Sequence, residues 1–158
     1  MSCFLDHYPE IVGDVNVYYN ASVSSVADGE PVTFANLDDS LTNNFSLTKS
    51  GAQFTLPNDG KTYILEAHVL GRGNNTHQTY QWYDVTNSQY VGILGIVTGG
   101  YNDDEGRQGD VVGDEKAIFV TNQNNTYELR LRSGNTGDVD YSSPGTYYTR
   151  PRCCIWRL

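Results

Sequence analysis

The chain has 158 residues, a length that suits one domain with a sizeable core. Its 19 acidic and 10 basic side chains give a formal net charge of −9 at pH 7, which argues against nucleic acid as a partner because phosphate binding needs a basic surface. The 12 tyrosines and 2 tryptophans argue against a disordered chain, since disordered acidic segments are poor in aromatic residues.

Apolar and polar residues alternate with a period of two along most of the chain, and turn residues separate the alternating runs. This pattern predicts about ten short β-strands and no long helix. The predicted strands span residues 15–19, 32–35, 45–47, 52–56, 62–70, 79–85, 90–97, 116–121, 126–132 and 153–158. We expect strands 79–85 and 90–97 to form a hairpin, and strands 116–121 and 126–132 to pair across the turn at 122–125.

Many short strands at near-regular spacing predict an all-β fold, a single-domain antiparallel β-sandwich with jelly-roll topology. Residues 1–12 precede the first clear strand and are predicted to form an N-terminal arm, while residues 13–158 form the domain. No apolar run approaches the ~20 residues that span a bilayer, and no basic amphipathic helix suits an anionic membrane. The first residues lack the basic and apolar segments of a secretory signal. We therefore expect synthesis in the cytoplasm and no membrane partner.

The strand at residues 62–70 has two distinct faces, because successive side chains of a strand point to opposite sides. The odd-numbered positions from Tyr63 to Val69 are all apolar and form a core face. The opposite face mixes apolar with ionisable groups and carries Ile64, Glu66, His68 and Leu70. Such a mixed face is expected where the strand meets another copy of the chain.

The segment from Gly51 to Tyr63 combines a small turn, a Phe-Thr-Leu-Pro strand, a glycine turn and a tyrosine-led core strand. Together with the later hairpin around Tyr127 and the apolar last strand, this order of elements resembles the tumour necrosis factor and complement globular-head superfamily. The resemblance implies a TNF-like jelly roll that assembles as a homotrimer. It also implies that strands 62–70, 116–121 and 153–158 pack around the three-fold axis.

The trimer interface that follows from this placement consists of Ile64, Glu66, His68, Leu70, Cys154, Trp156 and Leu158. Three copies of Glu66 close to the axis would repel one another, so a cation is expected nearby. By sequence, His68 and Arg157 are the candidates.

The three cysteines cannot all pair within one chain, and a bond between the adjacent Cys153 and Cys154 would be strained. We expect small buried thiols. A disulfide between subunits, or a metal held by thiolates around a symmetry axis, is the alternative.

No catalytic grouping can be assembled from the spacing of the three histidines, and Gly-x-Ser-x-Gly is absent. We therefore expect no enzymatic activity and no cofactor. The densest acidic cluster, at Asp103, Asp104 and Glu105, is the candidate for calcium because hard cations take oxygen ligands. Its spacing does not match the helix–loop–helix calcium loop, so a solvated acidic loop is the expectation.

Aromatic side chains are candidate contacts with a glycan or a protein partner. Tyr80 and Trp82 share one face of strand 79–85, whereas Tyr83 takes the opposite face. A second group lies in a loop rich in Gly, Ser and Pro, where exposed tyrosines often mark partner contacts. This group consists of Tyr141, Tyr147 and Tyr148.

A jelly roll without a catalytic grouping, and with a surface rich in Asn, Thr, Gly and Tyr, favours a structural role. Our hypothesis is a virion structural protein: a homotrimeric decoration or cement protein that binds the major capsid protein and stabilises a bacteriophage shell. It would be made in the host cytoplasm and located in the virion. The alternative is a receptor- or glycan-binding tip of a phage tail or head fibre. A jelly-roll enzyme needs two or three histidines in one barrel, a set that this sequence does not offer.

Overall fold

The computed structural model describes residues 14–19, 24–38, 45–72, 77–98, 112–120, 124–133, 137–139 and 152–158. Within these residues the chain forms twelve β-strands. In chain order they are β1 (Asp14–Tyr19), β2 (Ser24–Val26), β3 (Asn36–Leu37), β4 (Thr48–Ser50), β5 (Gln53–Thr55), β6 (Thr62–Arg72), β7 (His77–Asp84), β8 (Gln89–Thr98), β9 (Val112–Val120), β10 (Thr126–Ser133), β11 (Gly137–Val139) and β12 (Arg152–Arg157).

The strands form two antiparallel sheets, which we call the inner and the outer sheet. The inner sheet has the order β2-β11-β6-β12-β1-β3, and β9 pairs with β6 as well. The outer sheet has the order β4-β5-β10-β7-β8. The last strand, β12, lies between β1 and β6 and pairs with both along its whole length, so the C-terminal residues hold the middle of the inner sheet together.

The core fills the space between the sheets and is built from alternate residues of both. The core face of β6, with Tyr63, Leu65, Ala67 and Val69, is at most 1% exposed. The outer sheet contributes Tyr80, Trp82, Leu129 and Leu131, which are fully buried. Burying such large apolar side chains is worth about 1.5–3 kcal/mol each, so this interface between the sheets supplies the main driving force for folding.

Asp84, at the end of β7, fastens the β7–β8 hairpin to the start of β10. Its carboxylate accepts hydrogen bonds from the backbone N–H and the side-chain amide of Asn87, at 3.0 and 2.8 Å, and from the side-chain amide of Asn125 at 3.2 Å. These three bonds satisfy a carboxylate that is only 3% exposed, and a buried charge without such partners would be strongly destabilising.

The two-sheet antiparallel sandwich predicted from the alternation is confirmed, as are the strands at 15–19, 62–70, 79–85, 90–97 and 153–158. The predicted hairpin between 116–121 and 126–132 is wrong. Strand β9 pairs with β6, whereas β10 pairs with β5 and β7. The residues between them carry the chain from one sheet to the other instead of closing a hairpin.

Two predicted strands are displaced or absent. Residues 32–35 form no strand, although Val32 and Phe34 are fully buried in the core. The predicted strand 45–47 is displaced along the chain, because β4 begins at Thr48, and the turn that follows it falls at Gly51 and Ala52. Gly51 has a φ of 57°, a left-handed conformation that glycine adopts without strain.

Among the described residues, no helix is long and apolar enough to cross a membrane.

Candidate interaction surfaces

Strand β8 is an edge strand of the outer sheet, and a bulge interrupts its pairing with β7. Between the pairs that Tyr80 and Trp82 make, three residues of β8 lie opposite a single residue of β7. Gly92 takes the left-handed conformation that this bulge requires, with a φ of 74°. Its carbonyl oxygen accepts a hydrogen bond from the side-chain amide of Gln81 at 2.9 Å, which fixes the bulge to β7.

The bulge brings large apolar side chains to the surface. Ile93, Leu94 and Ile96, which we call the β8 strip, are 64%, 40% and 54% exposed. They lie at the side of the sandwich where β8 runs beside β9. Single exposed apolar residues are ordinary, but several adjacent ones on an edge strand are typical of a contact surface.

The solvent-facing side of the outer sheet carries a different surface, in which two arginines of β10 lie over two tyrosines. The guanidinium carbon of Arg130 is 3.7 Å from the centre of the Tyr83 ring, and that of Arg132 is 4.7 Å from the centre of the Tyr90 ring. Arg132 also donates a hydrogen bond to the side-chain oxygen of Gln81. These distances are those of cation–π contacts, and we call the five residues the arginine–tyrosine cluster.

Glu128 supplies a negative charge beneath this cluster and is 2% exposed. One carboxylate oxygen accepts hydrogen bonds from Nε and Nη2 of Arg130, at 2.6 and 2.5 Å. The other oxygen accepts one from the side-chain amide of Gln53 at 3.1 Å. Arg130 is therefore neutralised by Glu128, and Arg132 remains the exposed cation of the arginine–tyrosine cluster. Arginine and tyrosine are among the residues that dominate binding energy at protein interfaces.

A second apolar cluster lies on the face of the inner sheet that turns away from the core. It consists of Val15, Val17, Cys154 and Trp156, which we call the inner-sheet cluster. The β1–β12 register explains the grouping, since Val15 lies opposite Trp156 and Val17 lies opposite Cys154. All four residues are at most 6% exposed within a single chain.

Comparison with known proteins agrees with this architecture. No protein-family model matches the chain, and no curated protein matches it significantly. Among solved structures, Eiger TNF from S. frugiperda is similar over 92% of both chains, with a TM-score of 0.59 and 10% sequence identity. Murine APRIL, in a crystal structure at pH 5.0, is similar over 92% of this chain and 99% of its own, with a TM-score of 0.60 and 14% identity. The chain has a TNF-like jelly-roll fold.

In this TNF-like jelly roll, the even-numbered positions of β6 turn away from the core, as their alternation predicts. Ile64 and His68 are half-buried there, and Glu66 is 4% exposed. Leu158 is 43% exposed, whereas the side chain of Leu70 lies outside the described part of the structure. That these residues form a trimer interface stays a prediction. Cys154 and Trp156, which belong to the same predicted interface, are already buried within one chain and add no open surface.

Sequence reasoning missed the β8 strip. The signal was the run from Gly92 to Ile96, in which two glycines interrupt the alternation of a predicted strand. An isolated glycine within a strand is typical of a bulge. A bulge with apolar residues directly after it predicts apolar side chains displaced from the core.

Arg157 is not the cation that compensates Glu66, and this prediction is wrong. Alternation along β12 places Arg157 on the core side of the inner sheet, where it lies opposite Tyr63 and forms an ion pair with Asp14. The basic residue next to Glu66 in the strand register is Lys116 of β9. The sequence alone did not indicate this neighbour, because it was expected to belong to a β9–β10 hairpin.

The expectation of buried thiols is confirmed for Cys153, which is free and fully buried. Burial raises the pKa of its thiol well above the usual value, so Cys153 is an unreactive core residue. The expectation is wrong for Cys154, which is disulfide-bonded.

The prediction that Tyr80 and Trp82 contact a glycan is wrong, because both side chains are fully buried between the sheets. The half-buried aromatic residues of the β7–β8 hairpin are Tyr83 and Tyr90, and their exposed side belongs to the arginine–tyrosine cluster. The other predicted contacts, Tyr141, Tyr147 and Tyr148, lie outside the described residues.

The described residues contain no group of three or more His, Cys, Asp and Glu side chains that could hold a metal ion. The acidic cluster at Asp103, Asp104 and Glu105 lies outside the described residues, so its expected role as a solvated loop stays a prediction.

Alkaline pH is expected to weaken the domain, because burial raises the pKa of Tyr18 to about 12. A tyrosine whose pKa is higher in the folded than in the unfolded state stabilises the fold. This stabilisation is complete below the unfolded-state pKa of about 10 and is lost as the pH rises through the folded-state pKa. Denaturant unfolding should therefore show falling stability above pH 10, and Tyr18→Phe should reduce the slope. Tyr90→Phe is the control, since Tyr90 lies on the solvent-facing side of the sheet. A Tyr18→Phe slope equal to that of the parent would contradict this assignment.

Proposed function

We propose that the chain is a homotrimeric structural protein of a virus particle, which decorates the capsid shell and stabilises it by binding alone. The β8 strip carries the proposal. Three large apolar side chains are exposed on one edge of a TNF-like sandwich, and covering them would gain part of the about 1.5–3 kcal/mol that full burial of each is worth. A second copy of the same chain is the partner that this surface fits best.

The inner sheet offers a receiving surface on the neighbouring copy. Ile64 is half-buried and Leu158 is exposed on the side of β6 and β12 that turns away from the core. A contact between the β8 strip of one copy and the outward side of β6 and β12 on the next copy joins two different surfaces and is therefore heterologous. Heterologous contacts form a closed ring when the rotation that relates one copy to the next closes after a whole number of copies. The resemblance to the tumour necrosis factor superfamily supports a ring of three copies.

The virion role follows from symmetry and from the arginine–tyrosine cluster. A trimer has the symmetry of the three-fold positions on an icosahedral shell. The cluster lies on the solvent-facing side of the outer sheet, and Arg132 presents an exposed guanidinium there. Because a guanidinium binds carboxylates through paired hydrogen bonds, we assign the cluster as the surface that contacts the capsid protein.

The same cluster favours a second candidate, the receptor- or glycan-binding tip of a phage fibre. Tyr83 and Tyr90 are half-buried and lie beneath the two arginines. Tyrosine and arginine supply both apolar contact area and hydrogen bonds to a polar partner. Binding to host-surface glycans, with no binding to shells, would favour this candidate over the capsid role.

The first test is the oligomeric state. At micromolar concentration the parent chain should sediment at three times its chain mass. Replacing both Ile93 and Ile96 by lysine should raise the dissociation constant on the order of 100-fold, because burying two ammonium groups at the contact is unfavourable. Leu37→Lys is the matched control, since Leu37 is exposed on β3, and it should leave the trimer intact.

The second part of the experiment adds purified empty capsids to the same proteins. The parent and Leu37→Lys should co-sediment with the shells, and Arg132→Ala should co-sediment less while remaining trimeric. A parent protein that is a folded monomer at micromolar concentration would overturn the assembly proposal. A trimer that does not bind any shell would overturn the virion role alone.

A further inference from the structure

The two arginines of the arginine–tyrosine cluster have the same setting on the outer sheet. Each guanidinium lies over a tyrosine ring, that of Arg130 over Tyr83 and that of Arg132 over Tyr90. In Arg130 the fork made by Nε and Nη2 is filled, because both nitrogens donate to the same carboxylate oxygen of Glu128, at 2.6 and 2.5 Å. This pair shows, within the same sheet, what occupies such a fork.

The equivalent fork of Arg132 is open. Its Nη1 donates a hydrogen bond to the side-chain oxygen of Gln81, whereas Nε and Nη2 have no hydrogen-bond partner among the described residues. The side chain is exposed. Arginine uses pairs of parallel N–H groups to bind a carboxylate. Arg132 therefore has the same free donors as Arg130 but lacks the acceptor.

Gln81 holds the other side of the Arg132 guanidinium in place. Its side chain belongs to a residue that is 8% exposed, and its amide is used at both ends. Nε2 donates to Gly92 O at 2.9 Å, which leaves Oε1 to accept from Arg132. A flipped amide would lose both bonds, so its orientation is determined. Together with the contact to Tyr90, this restricts the guanidinium before any partner binds, and a side chain that is already ordered loses less entropy on binding.

The charges of the cluster are balanced except at Arg132. Arg130 and Glu128 form an ion pair, so their charges cancel. One positive charge remains, and a carboxylate at the open fork would neutralise it as Glu128 neutralises Arg130. The chain as a whole carries a net charge of −9, so it does not attract an acidic partner at long range. Recognition of a carboxylate then depends on close contact, because salt screens exposed charges beyond about 8 Å.

We infer that the Nε–Nη2 fork of Arg132 binds an aspartate or glutamate side chain on the surface of the capsid protein, and that Gln81 is the positioning residue. The fork lies on the open face of a sheet, which suits a protein surface, whereas sites for small molecules are concave. The capsid protein as the partner rests on the proposed function. The carboxylate chemistry rests on the fork alone.

Titration of the labelled protein with acetate, followed by heteronuclear NMR, tests the fork directly. The Nε–H resonance of Arg132 should shift downfield and saturate. That of Arg130 should stay in place in the same spectrum, since its Nε already donates to Glu128. Chloride at equal ionic strength and neutral acetamide are the controls and should shift neither resonance. Equal shifts of the two arginines, or no saturable shift of Arg132, would overturn the inference whatever the oligomeric state of the protein.

The role of Gln81 is tested by the same titration. Gln81→Met removes the acceptor of Arg132 and should raise the dissociation constant for acetate several-fold, although the positive charge is retained. Gln89→Met is the matched control, because Gln89 is exposed at the start of β8, and it should leave the constant unchanged. The amide spectrum shows that each variant is folded. Equal constants for the two variants would show that Gln81 does not position the guanidinium.

The source of the carboxylate is tested with purified empty capsids whose surface carboxylates have been converted to neutral amides. The parent protein should co-sediment several-fold less with these shells than with untreated ones. Arg132→Lys should bind untreated shells several-fold less than the parent, because an ammonium keeps the charge but has no fork. Equal binding of the parent to both kinds of shell would overturn the capsid carboxylate as the partner. If the parent binds no shell at all, the virion role and this partner fail together, whereas the acetate titration still decides the fork.

Discussion

Removal of residues 155–158 is expected to abolish folding of the whole domain, and not only its self-association. These residues form the end of β12, which pairs with β1 on one side and β6 on the other. Ile155 is fully buried in the core and Trp156 is 6% exposed. Loss of a buried isoleucine costs about 2–5 kcal/mol and loss of a buried tryptophan about 3–5 kcal/mol. Together these losses approach the entire stability of a typical domain, about 5–15 kcal/mol.

The measurement is a thermal unfolding curve followed by circular dichroism, with amide spectra to show whether a folded core remains. Leu158→Ala is the control, because Leu158 is 43% exposed and its backbone N–H, which donates to Thr62 O at 2.9 Å, is retained. It should fold with little loss of stability. A truncated chain that still unfolds cooperatively would show that the second half of β12 is dispensable and would contradict this prediction.

The central strand of the inner sheet shows what sequence reasoning can achieve. Residues 62–70 alternate apolar with mixed positions over a long run, and the core face assigned from that alternation matches the buried apolar residues Tyr63, Leu65, Ala67 and Val69. The reason is physical, since a one-residue slip would exchange the core face for the other face. Strong patterns of this kind also determine the ends of β7, β8 and β12 closely.

The pairing of β9 and β10 shows where sequence reasoning fails. Two alternating segments with turn residues between them predict a hairpin, but in a jelly roll successive strands can belong to opposite sheets. The turn residues are the same in both cases, so only long-range pairing decides whether the two strands form a hairpin or belong to different sheets. Short strands such as β2 and β11 have no local signal either, because they exist through their pairing with each other and, for β11, with β6.

The candidate surfaces depend on the same long-range information. Alternation separates Tyr80 and Trp82 from Tyr83, but it does not say which face of β7 meets the other sheet. Once the outer sheet packs on β6, the first two residues are buried and Tyr83 joins the arginine–tyrosine cluster. The strip on β8 depends on a bulge whose extra residues are defined only against β7. Binding surfaces are therefore less predictable than strands, since they are what packing leaves exposed.

Replacing Arg130 by methionine is expected to destabilise the domain by about 3–5 kcal/mol, although Arg130 lies on the solvent-facing side of the outer sheet. The substitution leaves the carboxylate of Glu128, whose side chain is 3% exposed, with Gln53 as its remaining hydrogen-bond donor among the contacts described above. A buried charge that loses its partner costs about this much. Methionine keeps much of the packing of the arginine stem, so the loss reports on the charge rather than on a cavity.

A double-mutant cycle isolates this effect. Glu128→Gln alone should cost only about 1 kcal/mol, because Arg130 has 24% of its side chain exposed and can be solvated. The double variant Arg130→Met/Glu128→Gln should be more stable than Arg130→Met, since it removes the unpaired charge, and the coupling energy in denaturant unfolding measures the pair. Arg132→Met is the control: its guanidinium contacts Tyr90 and Gln81 rather than a buried carboxylate, so its cost should stay below about 1 kcal/mol. High salt should change the measured losses of stability little, because a buried ion pair is screened far less than an exposed one. Equal losses for Arg130→Met and Arg132→Met would contradict the prediction, because they would mean that pairing with Arg130 does not stabilise Glu128.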